Sequence, residues 1–341
     1  MTKIPKFKFC LIAISAALLT VVGQANAKDF YKMSTTSPGT SPYLTMSTMA
    51  TIINQNLKGM EIRVNATGAA TKHQIEAARN KVDFFMTAPT IAAFMRDQKA
   101  MYRKIGNAKE LFKNLRMVFW FPLGVYHVTT YADAGISKLS DLKGKRVFLG
   151  PPGGGAWNTS MRLVKAATGM QPGKDYVNVK LGWAAANQSF QDRRIDVYFN
   201  PTNAPSPVME QLAATNNLRF IGISDQEFAK PGVKKLLNRP GGVIGDLKVG
   251  TYGDGQVNKT DIRVMGAIVG LGTHSKMSER TIYRMTKTFL EGVKKIKSNA
   301  PWLRNIQLST AVMNGPIPFH KGAAKYYREI GLTIPSSNKS K

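Results

Sequence analysis

Cysteine is almost missing from this 341-residue chain: there is one, Cys10. It opens an apolar run, Cys10 to Gly23, that follows Lys3, Lys6 and Lys8. That run is too short to span a bilayer, which takes roughly 20 apolar residues. Ala25-Asn26-Ala27 has the small-x-small form of a signal-peptidase site. Residues 1–27 therefore read as an export signal cut after Ala27. A lipoprotein would carry its Cys at the far end of the run. The exported chain has no thiol, no disulfide and no thiolate metal site. No later segment is long and apolar enough to cross a membrane, so the expected location is the periplasm.

Acids and histidines are also scarce. Asp and Glu number 20 against 48 Lys and Arg, with 4 His, for a net charge of +28 at pH 7. His73, His127, His274 and His320 are scattered, with no HxxxH or HxH pair to hold a metal. No GxSxG elbow occurs. The chain accordingly reads as a binding protein without a cofactor or metal, not an enzyme. The basic excess does not suggest nucleic acid. Its residues are dispersed (Lys58, Lys72, Lys81, Arg96, Lys104, Lys113 and onward), with no arginine-rich arm, zinc knuckle or RNP-type strand. A solvated basic surface, steering of anionic solutes, and attraction to anionic lipid all remain open.

What the chain does have is alternation. Phe30–Met33 reads as a strand, and Ser41 as an N-cap with Pro42 behind it. Met46, Met49, Ala50, Ile53 and Leu57 then line one helical face. Glu61–Asn65 and Val82–Met86 are further strands, each leading through a short turn into a helix. Three strand–loop–helix units imply right-handed crossovers and a parallel sheet. Loops 34–40, 66–69 and 87–89 fall at the carboxyl ends of its strands, where ligands collect. Leu115–Phe121 and Val125–Tyr131 read as two strands separated by Pro122-Leu123-Gly124. A second α/β unit runs from Leu139 to Ile223, and the chain returns through a strand at Val264–Leu271 and helices from Ser278 and at 321–329.

Two loops can bind an anion. Ser34–Thr40 sets hydroxyls and N–H groups at a helix N-terminus, and Gly150-Pro-Pro-Gly-Gly-Gly155 does the same in the second unit. The second is neither a Walker A nor a GxGxxG loop. Each also reads as an ordinary turn. Trp157 and Trp183 serve either a ligand's carbon skeleton or the core. Asn200 and Asn203 suit either polar ligand groups or turn chemistry, and Tyr126 and His127 either the cleft or the core.

These residues carry a resemblance. Met33-STTSPGTSPY43, Ala66-Thr67-Gly68-Ala69, Asp83–Thr87, Asp133-AGISKLSDLKGKR-Val147, the Gly150–Gly155 loop and Pro205-Ser206-Pro207 with Gln211-Leu212-Ala213 resemble the TAXI-type solute receptors of tripartite (TRAP) transporters. The opening loop departs from that pattern, being Ser/Thr-rich with Pro38 where the family is richer in Gly. The resemblance implies a two-lobed α/β fold of the periplasmic binding protein type II class, with lobe 1 at 28–125 plus 255–341 and lobe 2 at 132–245. Strands 126–131 and 248–252 would be the hinge. It implies capture of a small anionic solute, a carboxylate such as an amino acid or dicarboxylate, by a monomer that delivers it to TRAP membrane permease subunits. The alternative is a periplasmic sensing partner of a receptor kinase. The expected contacts are Thr36, Ser37, Gly39, Thr40, Tyr43, Thr67, Gly68, Thr87 and Ala88 from lobe 1. From lobe 2 they are Gly154, Gly155, Trp157, Asn158, Thr159, Asn200 and Asn203.

Overall fold

A computed structural model describes residues 28–38, 40–239, 241–296, 300–304 and 306–335. Residues 1–27, expected as an export signal, and Gly39, an expected contact, lie outside them.

In chain order the strands are β1 Asp29–Ser34, β2 Met60–Asn65, β3 Phe84–Thr87, β4 Leu115–Tyr131, β5 Arg146–Phe148, β6 Val177–Asn178, β7 Val197–Thr202, β8 Leu218–Phe220, β9 Gly242–Leu247 and β10 Ile262–His274. The helices are α1 Ser41–Asn56, α2 Ala70–Ala78, α3 Pro89–Arg96, α4 Ala108–Phe112, α5 Gly155–Thr168, α6 Trp183–Gln191, α7 Pro207–Ala213, α8 Asp225–Ala229, α9 Pro231–Leu237, α10 Glu279–Ile296, α11 Leu308–Ala311 and α12 Lys321–Glu329.

One sheet runs β2-β1-β3-β10-β4-β7-β5-β6, with β8 beside β4 and β9 beside β10. At one end β1 pairs in parallel with β2 and β3, and at the other β5 pairs in parallel with β6 and β7. Between them β4 and β10 run antiparallel to each other and to their flanking strands.

The buried side chains divide at these two strands. Phe119, Phe121 and Leu123 of β4, with Val269 and Leu271 of β10, belong to a core that includes Met33, Met49, Phe85, Phe289 and Tyr327. Two or three residues further along β4, and four or five residues earlier along β10, the same strands enter two other cores. Tyr126, Val128 and Met265 pack with Val147, Leu163 and Phe199, while Val125, Tyr131 and Val264 pack with Phe148, Phe190 and Tyr198. The molecule is thus two α/β lobes sharing two continuous strands.

The Pro122-Leu123-Gly124 segment, expected to separate two strands, lies inside one 17-residue strand. Gly124 pairs with Ala267 and Pro122 with Ile268, so Leu123 is the extra residue of a bulge. A bulge leaves a residue out of the ladder and bends its strand, and it also accommodates a proline that has no N–H to donate. Residues 248–252, expected as a crossover strand, instead form the turn that follows β9. Lys248 accepts a bond from Thr251 there and Asp261 accepts from Val249 N, so these backbone groups are spent locally. The second crossing strand is β10. The expected cap also moves by one residue: Thr40 is the N-cap of α1, its hydroxyl accepting from Tyr43 N at 3.4 Å.

Gly124 has φ +130°, and a Cβ placed on it would lie 2.1 Å from the Thr202 carbonyl oxygen. Both backbone strain and steric overlap oppose any side chain there. Gly124→Ala is expected to cost on the order of 3 kcal/mol of folding stability, measured by urea unfolding; a neutral substitution would contradict the close approach of β4 and β7 at the crossing.

Candidate ligand-binding site

The carboxyl ends of the parallel strands from both lobes face one cleft, with a cavity volume of about 130 Å³. From lobe 1 come Thr36 and Thr40 after β1, Gly68 and Ala69 after β2, and Ala88 after β3. From lobe 2 come Pro151, Gly154 and Gly155 after β5, Trp183 after β6, and Asn200 and Pro201 of β7. Leu123 and Tyr126 of β4 and Gly266, Ala267 and Ile268 of β10 form the floor between them.

The two lobes touch around the cleft. Ser41, at the start of α1, donates its hydroxyl to the Asn203 side chain, and Asn203 N donates back to Ser41 Oγ at 3.0 Å. A Cβ on Gly155 would sit 2.8 Å from the Ile91 side chain, so only glycine lets α5 come this near α3. Arg162 of α5 stacks over the Phe94 ring of α3 at 5.0 Å, a cation–π contact between the lobes.

The loop after β1 is held by its own hydroxyls. Thr36 and Thr40 share a 2.7 Å hydroxyl–hydroxyl bond, and Thr40 Oγ1 donates to the Ser37 carbonyl at 2.8 Å. Opposite it, α5 starts at Gly154, an N-cap with no side chain to take the N–H groups of the first turn. Those donors and the positive end of the helix dipole suit an anion. Burial pushes the Tyr126 phenol up to about 12, against a lowering bond with Thr159, so its proton stays in place.

Of the expected contacts, Thr36, Thr40, Gly68, Ala88, Gly154, Gly155, Thr159 and Asn200 line the cleft. The others are placed as follows. Ser37 offers its carbonyl to Thr40, and Tyr43 donates its N–H to the same threonine. Thr67 is exposed and bonds Asn65 Oδ1 at 2.9 Å. Thr87 is fully buried and donates to Gln74 Oε1. Asn158 folds back on the Gly154 carbonyl at 3.0 Å, and Asn203 bridges the lobes. Trp157 turns from the cleft, donating Nε1–H to Asn178 at 3.3 Å and packing on the second core. It is Trp183, set edge-on to Phe148 at 5.4 Å, that reaches the cavity.

The missed residue is Arg239, which lines the cleft from the connection between α9 and β9. In the sequence it stands before Pro240-Gly241-Gly242, with no periodicity or motif to single it out. Gly242 N donates to the Arg239 carbonyl at 2.8 Å.

Two α/β lobes that exchange antiparallel strands and face each other across a cleft define the periplasmic-binding-protein type II-like class. The chain belongs to the NMT1-like family, which matches residues 33–331. Its fold is also similar to solved structures of solute-binding proteins. The alkanesulfonate-binding protein SsuA of Xanthomonas axonopodis pv. citri, bound to MOPS, is 13% identical over 90% of this chain and 81% of that one, with a TM-score of 0.47. A TRAP periplasmic solute-binding protein of Sulfitobacter sp. with bound β-D-galacturonate is 8% identical over 90% and 88%, TM-score 0.46. DctP7 of Bordetella pertussis, an extracytoplasmic solute receptor binding pyroglutamic acid, is 11% identical over 89% and 92%, TM-score 0.46. Among the described residues no helix is long and apolar enough to cross a membrane.

Just beneath the floor, His127 is buried on β4. Its Nδ1–H donates to the Val125 carbonyl at 3.1 Å, and Nε2 accepts from Tyr252 Oη at 2.6 Å. Tyr252 Oη in turn accepts Ser206 N–H at 3.2 Å. Burial pulls His127 down to about 4, against the raising effect of the Val125 and Asn200 backbones. Burial likewise takes His320, which caps α12, down to about 4. Between pH 4 and 6.5 the unfolded chain takes these protons and the folded chain does not, so acid favours unfolding. Stability is expected to fall as pH drops through that window by up to about 1.4 kcal/mol per pH unit for each histidine. Urea melts at stepped pH test this, and His127→Gln should flatten the slope; a flat wild-type profile from pH 6.5 to 4 would contradict it.

Proposed function

We propose that this protein is a periplasmic solute-binding subunit that captures a small anion, a carboxylate or a chemically similar group, in the interlobe cleft and delivers it to membrane transporter subunits. One observation carries this reading: a single cavity is lined from both lobes by the loops at their strand carboxyl ends, and two shared strands are the connection beneath it. Such a geometry permits hinge closure, in which a solute first rests on one lobe and gains contacts from the other as they close. A cleft lined by threonines, glycine N–H groups, Asn200, Arg239 and apolar side chains suits capture more than catalysis, because among the described residues it presents no His, Cys, Asp or Glu to move a proton or attack a bond.

The finer reading is a TAXI-type receptor of a TRAP transporter. The segments at residues 33–43, 66–69 and 133–155 support it, and three of the loops they contain reach the cleft. The separate cores support a division into two lobes, with lobe 1 at 28–125 plus 255–341 and lobe 2 at 132–245. A sensing partner of a receptor kinase would use the same cleft and differ only in what docks on the closed form.

Cysteine placement makes closure measurable, since the chain after Ala27 contains no thiol. Spin labels at Lys58→Cys on lobe 1 and Lys174→Cys on lobe 2, both exposed, are expected to report two distances in solute-free protein and a single shorter one when the cognate solute is added from a metabolite extract. One unchanging distance with solute bound would refute hinge capture.

A further inference from the structure

We propose that the captured solute is a monoanion with an apolar body, and that Arg239 selects for its charge; the inference rests on the solute-capture reading. Arg239 Nη1 is buried and has no hydrogen-bond partner. A guanidinium keeps its proton in proteins, so a buried N–H left unpaired bears the full cost of desolvation. A ligand oxygen in the cleft removes that cost.

No protein carboxylate takes its place, because among the described residues no Asp or Glu lines the cleft. Arg162 is close enough to feel the charge of Arg239, which is of the same sign. Burial, and then Arg239 itself, hold the Arg162 guanidinium below its usual range. Arg162 is engaged by Phe94 across the lobes, which leaves Arg239 as the lining cation. The helix before it, α9, packs on α5, whose uncapped first turn supplies further donors. Arginine and helix N-terminus thus bring positive potential to one side of the cavity.

The other walls are greasy. Met86, Ile91, Leu123, Met265 and Ile268 line them, with Trp183. A second carboxylate on the ligand would be driven against this surface, and an ammonium group would meet no counter-charge. Dicarboxylates and free amino acids are therefore disfavoured, and a monocarboxylate or monosulfonate on an aliphatic or aromatic body is favoured.

Calorimetric titration of the protein after removal of any co-purified solute tests this. The probes are phenylacetate, hexanoate, hexanesulfonate, phenylacetamide, glutamate and succinate. At least one of the three monoanions with apolar bodies is expected to bind, and carboxylate against sulfonate in the panel decides the headgroup. Phenylacetamide, glutamate and succinate are expected to bind more weakly by about tenfold or more. Arg239→Gln is expected to weaken the binding monoanion by about tenfold or more, with Arg239→Lys in between. If Arg239→Gln fails to fold, the native preference for the monoanions over phenylacetamide, glutamate and succinate decides. Preference for glutamate, succinate or the neutral amide, unchanged binding by a folded Arg239→Gln, or no binding by any probe would overturn the proposal. In each of those cases a label-distance change with metabolite extract would leave the solute-capture reading standing, and its absence would remove both.

Discussion

The structure depends on one antiparallel pairing. Strands β4 and β10 are hydrogen-bonded from Leu115–His274 to Val125–Gly266, and both continue into the second lobe, where β4 pairs with β7 and β8 and β10 pairs with β9. Each lobe would otherwise be a separate parallel sheet with its own core. The shared strands fix which edges face each other, and the facing edges are those where the crossover loops and helix N-termini gather. The bulge at Leu123 sits where the strands leave one core for the next. It bends the ladder at the cavity floor without interrupting either strand.

From that constraint the site's chemistry follows. Loops after β1, β2 and β3 converge from one side, and loops after β5 and β6 with the end of β7 from the other. The polar groups on the first side are spent on one another, as the Thr36–Thr40–Ser37 bonds show, so that loop is shaped before a solute arrives. Preorganisation of this kind lowers the ordering cost of binding. The second side retains donors without partners: the first turn of α5 and Arg239 Nη1. The asymmetry divides the work. Both lobes supply apolar surface, lobe 1 adds a preshaped loop, and lobe 2 supplies positive potential. The chain's high overall positive charge adds a long-range field that favours the approach of an anion, an effect weakened by salt.

Much of this was legible in the sequence. Strand–loop–helix alternation located β1 to β3 and β5 with their following loops, because each unit announces itself by local periodicity and turn chemistry. The loops at 34–40 and 150–155 were recognisable as cleft candidates for the same reason. Pro122-Leu-Gly124 looked like a break because proline and glycine usually are; only pairing with β10, about 145 residues away, turns it into a bulge. The 248–252 segment, a hinge strand by the resemblance, is a turn because its backbone bonds close locally. Trp157 and Trp183 could not be separated by type, since both sit at helix N-termini and only tertiary packing sends one to Asn178 and the other to the cavity. Arg239 carried no periodic or motif signal. Its importance comes from burial without a partner, a property of the fold and not of the sequence.

The most direct test of the central claim is amide hydrogen exchange, read peptide by peptide, in solute-free protein and with the cognate solute bound. If two lobes close over one shared cleft, protection should rise together at residues 36–40 and 88–91 of lobe 1 and at residues 154–159 and 239–242 of lobe 2. Protection confined to one lobe, with the other exchanging as before, would contradict it.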